Sequence, residues 1–245
     1  MTRYFGEKRE IRTDKVREFY ESRASNIIEN DARCLLNATM LQDFELSKER
    51  HSIEVELVKR VISENSLKKL LDIGCGTGRL CGEIVHSIES YVGVDFIQKF
   101  IDIANDKFRT VNNASFICMQ APELTKDKLP REFDLVIISG LLMYLNDLEL
   151  QDLLTNVVTF LTKGVIYIRE PIAIDTRLTL SETWSNELNH CYSAIYRTKQ
   201  EMEEFFEILS CGKTFTIREQ GYMYPEHLNN RIETIQYYWC IGIST

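Results

Sequence analysis

Three glycines on alternate positions, Gly74, Gly76 and Gly78, follow an apolar run that contains Asp72. A residue without a Cβ lets backbone amides approach a polar group that any larger side chain would hold away. The pattern therefore predicts a strand that turns sharply against a ligand. The next apolar run ends in Asp95, which places an acidic side chain at the tip of the following strand. An open α/β sheet binds a ribose at such a position.

The spacing of the glycines separates two nucleotide-binding patterns. Dinucleotide-binding enzymes use G-x-G-x-x-G, and the position of the last glycine is occupied here by Arg79. The residues do match the pattern Asp-x-Gly-x-Gly-x-Gly, followed by a strand that ends in an acid. In this pattern the chain resembles the class I S-adenosylmethionine-dependent methyltransferases. The alternative is a structural glycine-rich turn with an unrelated surface aspartate, but the turn, the strand context and the second acid occur together.

The resemblance implies S-adenosyl-L-methionine as cofactor, with S-adenosyl-L-homocysteine as product. In that family the glycine turn packs against the methionine portion, and the acid after the second strand accepts hydrogen bonds from both ribose hydroxyls. The resemblance also implies that residues after the third strand contact the adenine and that residues after the fourth strand lie beneath the methyl group. An N-terminal helix would lie over the methionine carboxylate. By position, the cofactor-binding residues are Asp72, Gly74, Cys75, Gly76, Gly78, Asp95, Phe96, Gln120, Ser139, Tyr20 and Arg23. The polar segment 37–43 is a further candidate to fold over the cofactor.

A long connection, segment 170–198, follows the predicted fifth strand and is rich in reactive residue types. Connections of this length in a compact domain are usually functional, and in similar proteins this insertion forms a lid over the acceptor. His190 is the candidate general base because its reference pKa is near neutral, although a local hydrogen bond would also explain a histidine. Glu170 is a second candidate because it lies at a strand end, although an ion pair with a neighbouring arginine would also explain it. Tyr144 is expected to lie beneath the methyl group. The candidate substrate-binding residues are Arg169, Arg177, Tyr192, Tyr196 and Arg197; arginines suit a phosphate or carboxylate.

The net charge and the cysteine content indicate which binding partners and which compartment to expect. The net charge of -8 argues against a phosphate-rich polymer, because nucleic-acid binding depends on basic surface. Seven cysteines without CxxC pairs predict buried thiols in a reducing compartment and no metal site. The N-terminus has no long apolar run, so we expect no signal peptide, no membrane span and a cytoplasmic location. The expected partner is a small-molecule acceptor, with the chain a monomer or homodimer.

The candidate site residues must be positioned by secondary structure, and predicted strands and helices alternate along the chain after residue 66. The apolar run 133–138 predicts a central strand that is buried on both faces. Capping boxes at Asn146 and at Thr198 predict two helix starts, and strands near 214–223 and 231–243 have no helix between them. The fold class predicted is α/β: a doubly wound, Rossmann-like, seven-stranded sheet with an antiparallel terminal hairpin. We expect one domain, 1–245, with an N-terminal helical cap (1–65) and a cofactor-binding core (66–245) that includes the lid, 170–198.

The predicted function is transfer of a methyl group from S-adenosylmethionine to an O or N atom of a small acceptor. The acceptor would carry a phosphate or carboxylate, because arginines surround the predicted mouth, or it would be of a sugar type. The whole pattern is similar to bacterial small-molecule methyltransferases associated with surface polysaccharides. Two alternatives stay open: a methyltransferase of protein N-terminal α-amines, and a catalytically silent cofactor-binding subunit that activates a partner.

Overall fold

A computed structural model describes residues 2–27, 44–185, 188–210 and 212–244 of the chain. Within these ranges the chain forms strands β1 to β10 and α-helices α1 to α6. Their bounds, in chain order, are β1 (Thr2–Phe5), α1 (Thr13–Ser25), α2 (Phe44–Asn65), β2 (Lys69–Ile73), α3 (Cys81–Ile84), β3 (Ser90–Asp95), α4 (Gln98–Lys107), β4 (Ala114–Cys118), β5 (Leu135–Ser139), α5 (Asp147–Thr159), β6 (Gly164–Ala173), β7 (Leu178–Ser185), β8 (His190–Tyr196), α6 (Lys199–Phe206), β9 (Thr214–Tyr222) and β10 (Thr234–Ser244).

A seven-stranded sheet has the order β4-β3-β2-β5-β6-β10-β9. The strands from β4 to β6 run parallel, whereas β10 is antiparallel to both β6 and β9. The predicted doubly wound sheet with its terminal hairpin is confirmed. The strand order reverses between β2 and β5, and a ligand crevice forms at the carboxyl ends of the strands at such a switch point.

The central strands form because their residues are apolar on both faces. Leu70, Leu71 and Ile73 of β2 are fully buried, as is the β5 run from Val136 to Ile138. Helices α2, α3 and α4 cover one face of the sheet, and α5 and α6 cover the other. Both predicted capping boxes are present at the starts of α5 and α6. These contacts fix where the sheet ends, and so where the functional residues lie.

The segment 170–198 differs from the expected long connection. Its first residues continue β6 to Ala173, because this strand pairs with β10 over its whole length. Strands β7 and β8 then form a hairpin, and β1 pairs antiparallel with β7. A second, three-stranded sheet, β1-β7-β8, therefore occupies the position predicted for the lid.

The two N-terminal helices occupy different places, which corrects the prediction of one common cap. The buried face of α1 packs with β8 and α4 near the carboxyl ends of the sheet. Helix α2 instead lies on a sheet face, where Val55, Val58 and Val61 pack with β2 and α3 residues. No helix in the described part of the chain is both long enough and apolar enough to cross a bilayer.

Candidate functional site

A cavity of about 570 Å³ opens at the carboxyl ends of β2, β3, β5 and β6. Side chains from α1, from the β1-β7-β8 sheet and from the segment 229–236 complete its walls. A volume of this size is within the range of small-molecule and cofactor sites. The cavity lies where the reversal of strand order predicts a ligand crevice.

The glycine turn forms the floor of this cavity beside β2. Gly74, Gly76 and Gly78 have φ values of +81°, +55° and +75°, a region that side chains with a Cβ rarely adopt. The backbone amides of Gly74 and Cys75 donate to the Val94 carbonyl at 2.7 and 3.0 Å, which ties the turn to β3. Gly74, Cys75 and Gly76 line the cavity.

Gly78 has a different role from its neighbours, because it does not line the cavity. A Cβ at this position would lie 2.6 Å from Cε2 of Phe108, a distance at which one of the two groups must move. The missing side chain therefore allows the turn to pack against α4 and β4. This placement corrects the expectation of a direct ligand contact by Gly78.

Asp95 lies at the end of β3 with its carboxylate in the cavity wall. The amide of Ile97 donates to Oδ1 and the amide of Gly76 donates to Oδ2, both at 2.9 Å. Burial raises the pKa of this carboxyl to about 6. A carboxylate has about four acceptor positions, so both oxygens retain capacity for further donors. A pair of neighbouring hydroxyls, as in a ribose, matches this arrangement.

Asp72 also lines the cavity and is almost completely buried. Its Oδ2 accepts a hydrogen bond from the hydroxyl of Tyr91. Burial raises the pKa of the Asp72 carboxyl to about 6. The carboxyl is therefore mostly ionised at neutral pH and offers a negative charge beside the glycine turn.

The remaining predicted cofactor residues divide into two groups. Tyr20, Phe96, Gln120 and Ser139 line the cavity, and their roles stay predictions. Arg23 is not among the lining residues; its guanidinium lies 5.7 Å from the ring centre of Phe19. Burial lowers the pKa of Arg23 while the nearby Tyr20 acts against this shift, so the two side chains are close and the role of Arg23 stays a prediction. The segment 37–43 lies outside the described residues.

A buried ionic cluster lies beside the glycine turn and was not predicted from the sequence. Glu54 of α2 is completely buried, and its Oε2 accepts from a terminal nitrogen of Arg79 at 2.8 Å. Its Oε1 accepts from the hydroxyl of Ser139 and from Nε of Arg169 at 3.3 Å. Burial alone would raise the pKa of Glu54, but the charges of Arg169 and Arg79 lower this pKa to about 2. A charged residue on the apolar stripe of α2 was the available sequence signal.

Glu170 and Arg197 hold one loop rather than a ligand, which corrects two predicted roles. Oε1 of Glu170 accepts from the amides of Leu141 and Leu142 at 2.7 and 2.8 Å. The Arg197 guanidinium donates to the carbonyls of Leu142 and Leu145 at 3.0 and 2.7 Å. Neither side chain lines the cavity. We call the loop with these two partners the 141–145 clamp.

Arg177 is likewise buried beneath the second sheet. It donates to Asp147 at 2.8 Å and to Glu201 at 3.3 Å, both at the starts of helices, and it does not line the cavity. Acidic residues in the first turn complement the helix dipole and attract such a cation. Of the three arginines predicted to bind substrate, the structure brings only Arg169 to the cavity.

His190 lies outside the cavity lining. Its Nδ1 donates to the carbonyl of Cys191 at 2.8 Å, and its ring packs edge-on against Phe19. The geometry corrects the expectation of a general base at this position, because a base must reach the proton that it removes. Cys118 and Cys191 are exposed, so the expectation that the thiols are buried holds only for some of them.

The tyrosines predicted around the acceptor do meet in the cavity wall. The hydroxyls of Tyr144 and Tyr192 are 2.9 Å apart, and Tyr196 donates to Tyr192 at 3.4 Å. Burial raises the pKa of Tyr144 and Tyr192 well above the usual value. These phenols are therefore protonated at neutral pH, and they serve as hydrogen-bonding groups rather than as bases.

The sheet order, the glycine turn and the carboxylate at the end of β3 define the fold of class I S-adenosylmethionine-dependent methyltransferases. Residues 70–164 match a family described as a methyltransferase domain. Residues 70–164, which include the glycine turn and Asp95, therefore match the class that the sequence resembles. S-adenosylmethionine is the cofactor of this class.

Similar proteins from other organisms are also described as methyltransferases. The phosphoethanolamine N-methyltransferase of Triticum aestivum is 33% identical over 106 residues, which cover 42% of this chain and 21% of that protein. The malonyl-[acyl-carrier protein] O-methyltransferase of Bacillus cereus is 26% identical over 175 residues, 71% of this chain and 58% of that protein. The chain thus spans only about a fifth of the length of the wheat relative.

A solved structure shows the same fold. Phosphoethanolamine N-methyltransferase 1 of Haemonchus contortus, in complex with phosphoethanolamine and S-adenosylhomocysteine, superposes with a TM-score of 0.71 and 20% sequence identity. The match covers 95% of this chain and 49% of that one. At this identity the likeness establishes the fold, and the activity of the present chain has to be argued from its own residues.

Proposed function

We propose that this chain transfers the methyl group of S-adenosylmethionine to an O or N atom of a small acceptor. The observation that carries the proposal is the Asp95 carboxylate. It is fixed by the amides of Gly76 and Ile97, faces the cavity and retains acceptor capacity for a hydroxyl pair. The glycine turn next to it leaves room for the remainder of an adenosyl ligand.

The work left to the protein is alignment, because the sulfonium of the cofactor supplies an activated methyl group. The hydroxyls of Tyr144, Tyr192 and Tyr196, which are hydrogen bonded to one another, orient an acceptor. The apolar side chains of Leu178 and Leu180 in the second sheet line the same cavity. Holding the two reacting atoms in line accounts for much of the rate enhancement of such a transfer. An amine that binds uncharged, or an oxygen that binds as an anion, needs no general base.

Guanidinium groups in the cavity wall suit an acceptor with an anionic group. Arg3 of β1 and Arg231 line the cavity together with Glu233, whose carboxylate is ion-paired with Arg3. Burial raises the pKa of the Tyr196 hydroxyl, and the charges of both arginines act against that rise, so they lie near this group. A phosphate or carboxylate would match guanidinium groups at this position. In this proposal they take the role that the sequence suggested for Arg177 and Arg197.

The two alternatives have less support. A basic peptide, the substrate of an N-terminal α-amine methyltransferase, would meet the same arginines as like charges. A silent subunit would need an exposed aromatic surface, but Tyr224, Tyr237 and Trp239 near the end of the chain are buried. Tyr222 is exposed, at 68% of its full surface. Core packing therefore explains most of the aromatic residues in the last two strands.

Methyl transfer from radiolabelled S-adenosylmethionine tests the proposal. The purified chain is incubated with phosphoethanolamine, with small aromatic carboxylates and with a basic peptide that has a free N-terminus. We expect transfer to an anionic small molecule and none with the Asp95→Ala variant. Transfer to the peptide alone would favour the first alternative. Absence of S-adenosylhomocysteine binding in calorimetry would overturn the proposal.

A further inference from the structure

A row of aromatic side chains leads along the cavity wall from the glycine turn to the opposite end. The ring centre of Phe96, which follows β3, lies 6.3 Å from that of Tyr20. The Tyr20 ring lies 5.3 Å from that of Tyr144, whose hydroxyl is 2.9 Å from that of Tyr192. Tyr196 donates to Tyr192 and is the last member of the row. All five side chains line the cavity, so the row orders the cavity from the cofactor end, at β3, to an outer end, at Tyr196.

The outer end of the cavity carries charges of both signs. Burial raises the pKa of the Tyr196 hydroxyl, and the charges of Arg231 and Arg3 act against this rise. The charge of Glu233 adds to it, so all three charged groups lie near the hydroxyl. Arg3 and Glu233 form an ion pair in which the side chains are 39% and 37% exposed, so this end of the cavity opens to solvent. We call Arg3, Arg231 and Glu233 the charged mouth.

The charged mouth suits an anionic group although it contains a carboxylate. Two guanidiniums and one carboxylate leave an excess of one positive charge at the outer end. A guanidinium has five N–H donors, so Arg3 can donate to a ligand while it remains paired with Glu233. Carboxylates and phosphates match such a fork in geometry and in charge.

The wall beside the charged mouth is the apolar face of the second sheet. Leu180 lies opposite Arg3 where β1 pairs with β7, and opposite Ala194 where β7 pairs with β8. Leu178 lies opposite Tyr196. Residues opposite one another in a sheet project to the same face, and both leucines line the cavity. A ligand that reaches the charged mouth would therefore contact hydrocarbon on this side.

Two exposed apolar side chains border the same end of the cavity. Ile232, between two residues of the charged mouth, is 92% exposed, and Trp184 near the end of β7 is 45% exposed. Both line the cavity, and Trp184 is close to β1 because the neighbouring Thr183 donates to the carbonyl of Thr2. A ligand with an apolar part would remove their surface from water, which favours its binding. We call these two side chains and the two leucines the apolar wall.

We propose that the outer part of the cavity binds an acceptor that has an apolar body, an aromatic ring or an alkyl chain, with a carboxylate or phosphate at one end. The anionic group lies at the charged mouth, and the body packs against the apolar wall. The O or N atom that receives the methyl group lies at the other end of the body, beside the hydroxyls of Tyr144 and Tyr192. This inference rests on the proposed function and narrows its acceptor to one chemical class. Phosphoethanolamine and sugars, which lack an apolar body, fall outside that class.

The separation of the two ends of the acceptor is part of the proposal. The acceptor atom supplies the electron pair of its new bond to the methyl carbon, the pair of the broken S–C bond stays on sulfur, and a proton on the acceptor atom passes to solvent. The anionic group takes no part in this transfer, and it has to lie away from the reacting atom in order to reach the charged mouth. A hydroxyl para to a carboxylate meets this requirement, and an ortho hydroxyl does not.

Binding to the complex with S-adenosylhomocysteine tests the subsite without knowledge of the exact acceptor. The probes are linear carboxylates from butanoate to octanoate, alcohols of the same chain lengths, benzoate, the para and ortho isomers of hydroxybenzoate, and phosphoethanolamine. Calorimetry measures each affinity. Fluorescence locates the probe, because Trp184 lines the cavity whereas Trp239, the other tryptophan of the chain, is completely buried. Trp184→Phe should therefore abolish the fluorescence response.

We expect the affinity of the carboxylates to rise about fourfold with each methylene that reaches the apolar wall. Alcohols should bind about tenfold more weakly than carboxylates of equal length, and this difference should shrink in Arg231→Gln. The para isomer of hydroxybenzoate should bind about fivefold more tightly than benzoate. This gain should be lost in Tyr192→Phe, and the ortho isomer should not show it. Phosphoethanolamine should bind more weakly than octanoate.

Ile232→Asn and Leu180→Asn test the apolar wall, and both should reduce the gain in affinity per methylene. Ile232 is almost fully exposed, so its replacement leaves the fold intact even if Leu180→Asn proves unstable in circular dichroism. Leu148→Asn and Arg109→Gln are the matched controls, because both residues are exposed and lie outside the cavity lining. Neither control should change the affinity of any probe by more than about twofold.

Several results would overturn the subsite, and they differ from failure of the proposed function. Affinities that do not depend on chain length, or the absence of binding by every probe, would remove the apolar wall from the acceptor site. Equal affinities for carboxylates and alcohols would remove the charged mouth from it. Equal affinities for the para and ortho isomers would contradict the orientation. If the wild type does not bind S-adenosylhomocysteine, the methyltransferase proposal itself fails.

Discussion

At the scale of single residues, Asp95 is a buried acid in the cavity wall and the residue that we propose binds the ligand hydroxyls. Burial raises its pKa to about 6, so the ionised carboxylate is less favourable in the fold than in the unfolded chain. The free energy of unfolding therefore falls as the pH rises from about 4 to about 6, because the folded state binds the extra proton. In the proposed complex, ligand hydroxyls donate to the ionised form and compensate part of this cost.

This linkage predicts the pH dependence of cofactor binding. We expect the affinity for S-adenosylhomocysteine to be constant above about pH 7 and to fall below about pH 6, by up to about tenfold per unit for each of Asp95 and Asp72. Calorimetry between pH 5 and pH 8 measures it. In Asp95→Asn the affinity should be lower at pH 8 and should vary less with pH, with Asp72 accounting for the remaining slope. An unchanged profile in this variant would contradict the assignment.

The placement of His190 and Tyr192 gives opposite expectations for two neighbouring residues. His190→Ala should leave kcat within about twofold, because the ring lies outside the cavity lining. Tyr192→Phe removes a hydroxyl that is hydrogen bonded to Tyr144 and Tyr196, and a net hydrogen bond contributes about 1 kcal/mol.

Steady-state kinetics with an acceptor identified in the transfer assay measures both variants. For Tyr192→Phe we expect about a fivefold loss in kcat/KM for that acceptor. The KM for S-adenosylmethionine should be unchanged, because this tyrosine is assigned to the acceptor. A larger loss in His190→Ala than in Tyr192→Phe would restore His190 as the candidate base.

At the scale of elements, the 141–145 clamp explains why two predicted functional residues are buried. Glu170 at the end of β6 accepts from the loop amides, and Arg197 after β8 donates to the loop carbonyls. Backbone groups in a buried loop require partners. Both side chains thereby position Tyr144, which lies in this loop and lines the cavity.

Removing one side of this clamp should destabilise the fold. Arg197→Met leaves two carbonyls without their donor and takes one cation away from Asp147. We expect a loss of about 3 kcal/mol in the free energy of unfolding, as for other broken buried ion pairs. For a chain of this length that corresponds to about 6–12 °C in Tm.

Thermal unfolding followed by circular dichroism measures this change. Arg109→Met is the matched control, because Arg109 is 73% exposed and its ion pair with Asp106 is at the surface. Such pairs contribute at most about 1 kcal/mol. Equal shifts in the two variants would show that the clamp does not anchor the loop.

At the scale of the whole molecule, the cavity joins parts of the chain that are distant in sequence. Its walls come from β1, α1, the parallel strands and the hairpin of β7 and β8. Strand β1 pairs with β7 across most of the chain length, with Arg3 opposite Leu180. A ligand in this cavity would therefore contact residues from both ends of the sequence, from Arg3 to Gln236.

Cofactor binding should accordingly stabilise the entire fold. S-adenosylhomocysteine at 100 times its Kd should add about 2.7 kcal/mol to the free energy of unfolding. The expected rise in Tm is about 5–10 °C. Scanning calorimetry at increasing ligand concentration measures it, and Asp95→Ala at the same concentration should show a much smaller rise. A rise of equal size in the variant would place the ligand elsewhere.

Local sequence signals predicted the framework of the site. The glycine turn, the acid at the end of β3 and the capping boxes at Asn146 and Thr198 each depend on residues within a few positions of one another. The apolar runs of the central strands predicted the parallel sheet for the same reason. In each case the chemistry of a short segment, through its backbone conformation or its need for burial, is sufficient to indicate the structure.

The tertiary structure alone decided which charged residues face the cavity. Glu54 meets Arg79 across 25 positions, and Arg197 meets Leu142 across 55. A sequence shows that an arginine is present, but only packing decides whether its charge is compensated by a buried carboxylate or is directed at a ligand. The strand β1 and the hairpin of the second sheet were missed for a related reason. Their pairing is set by distant partners, because a strand without a fully apolar face has no strong local signal.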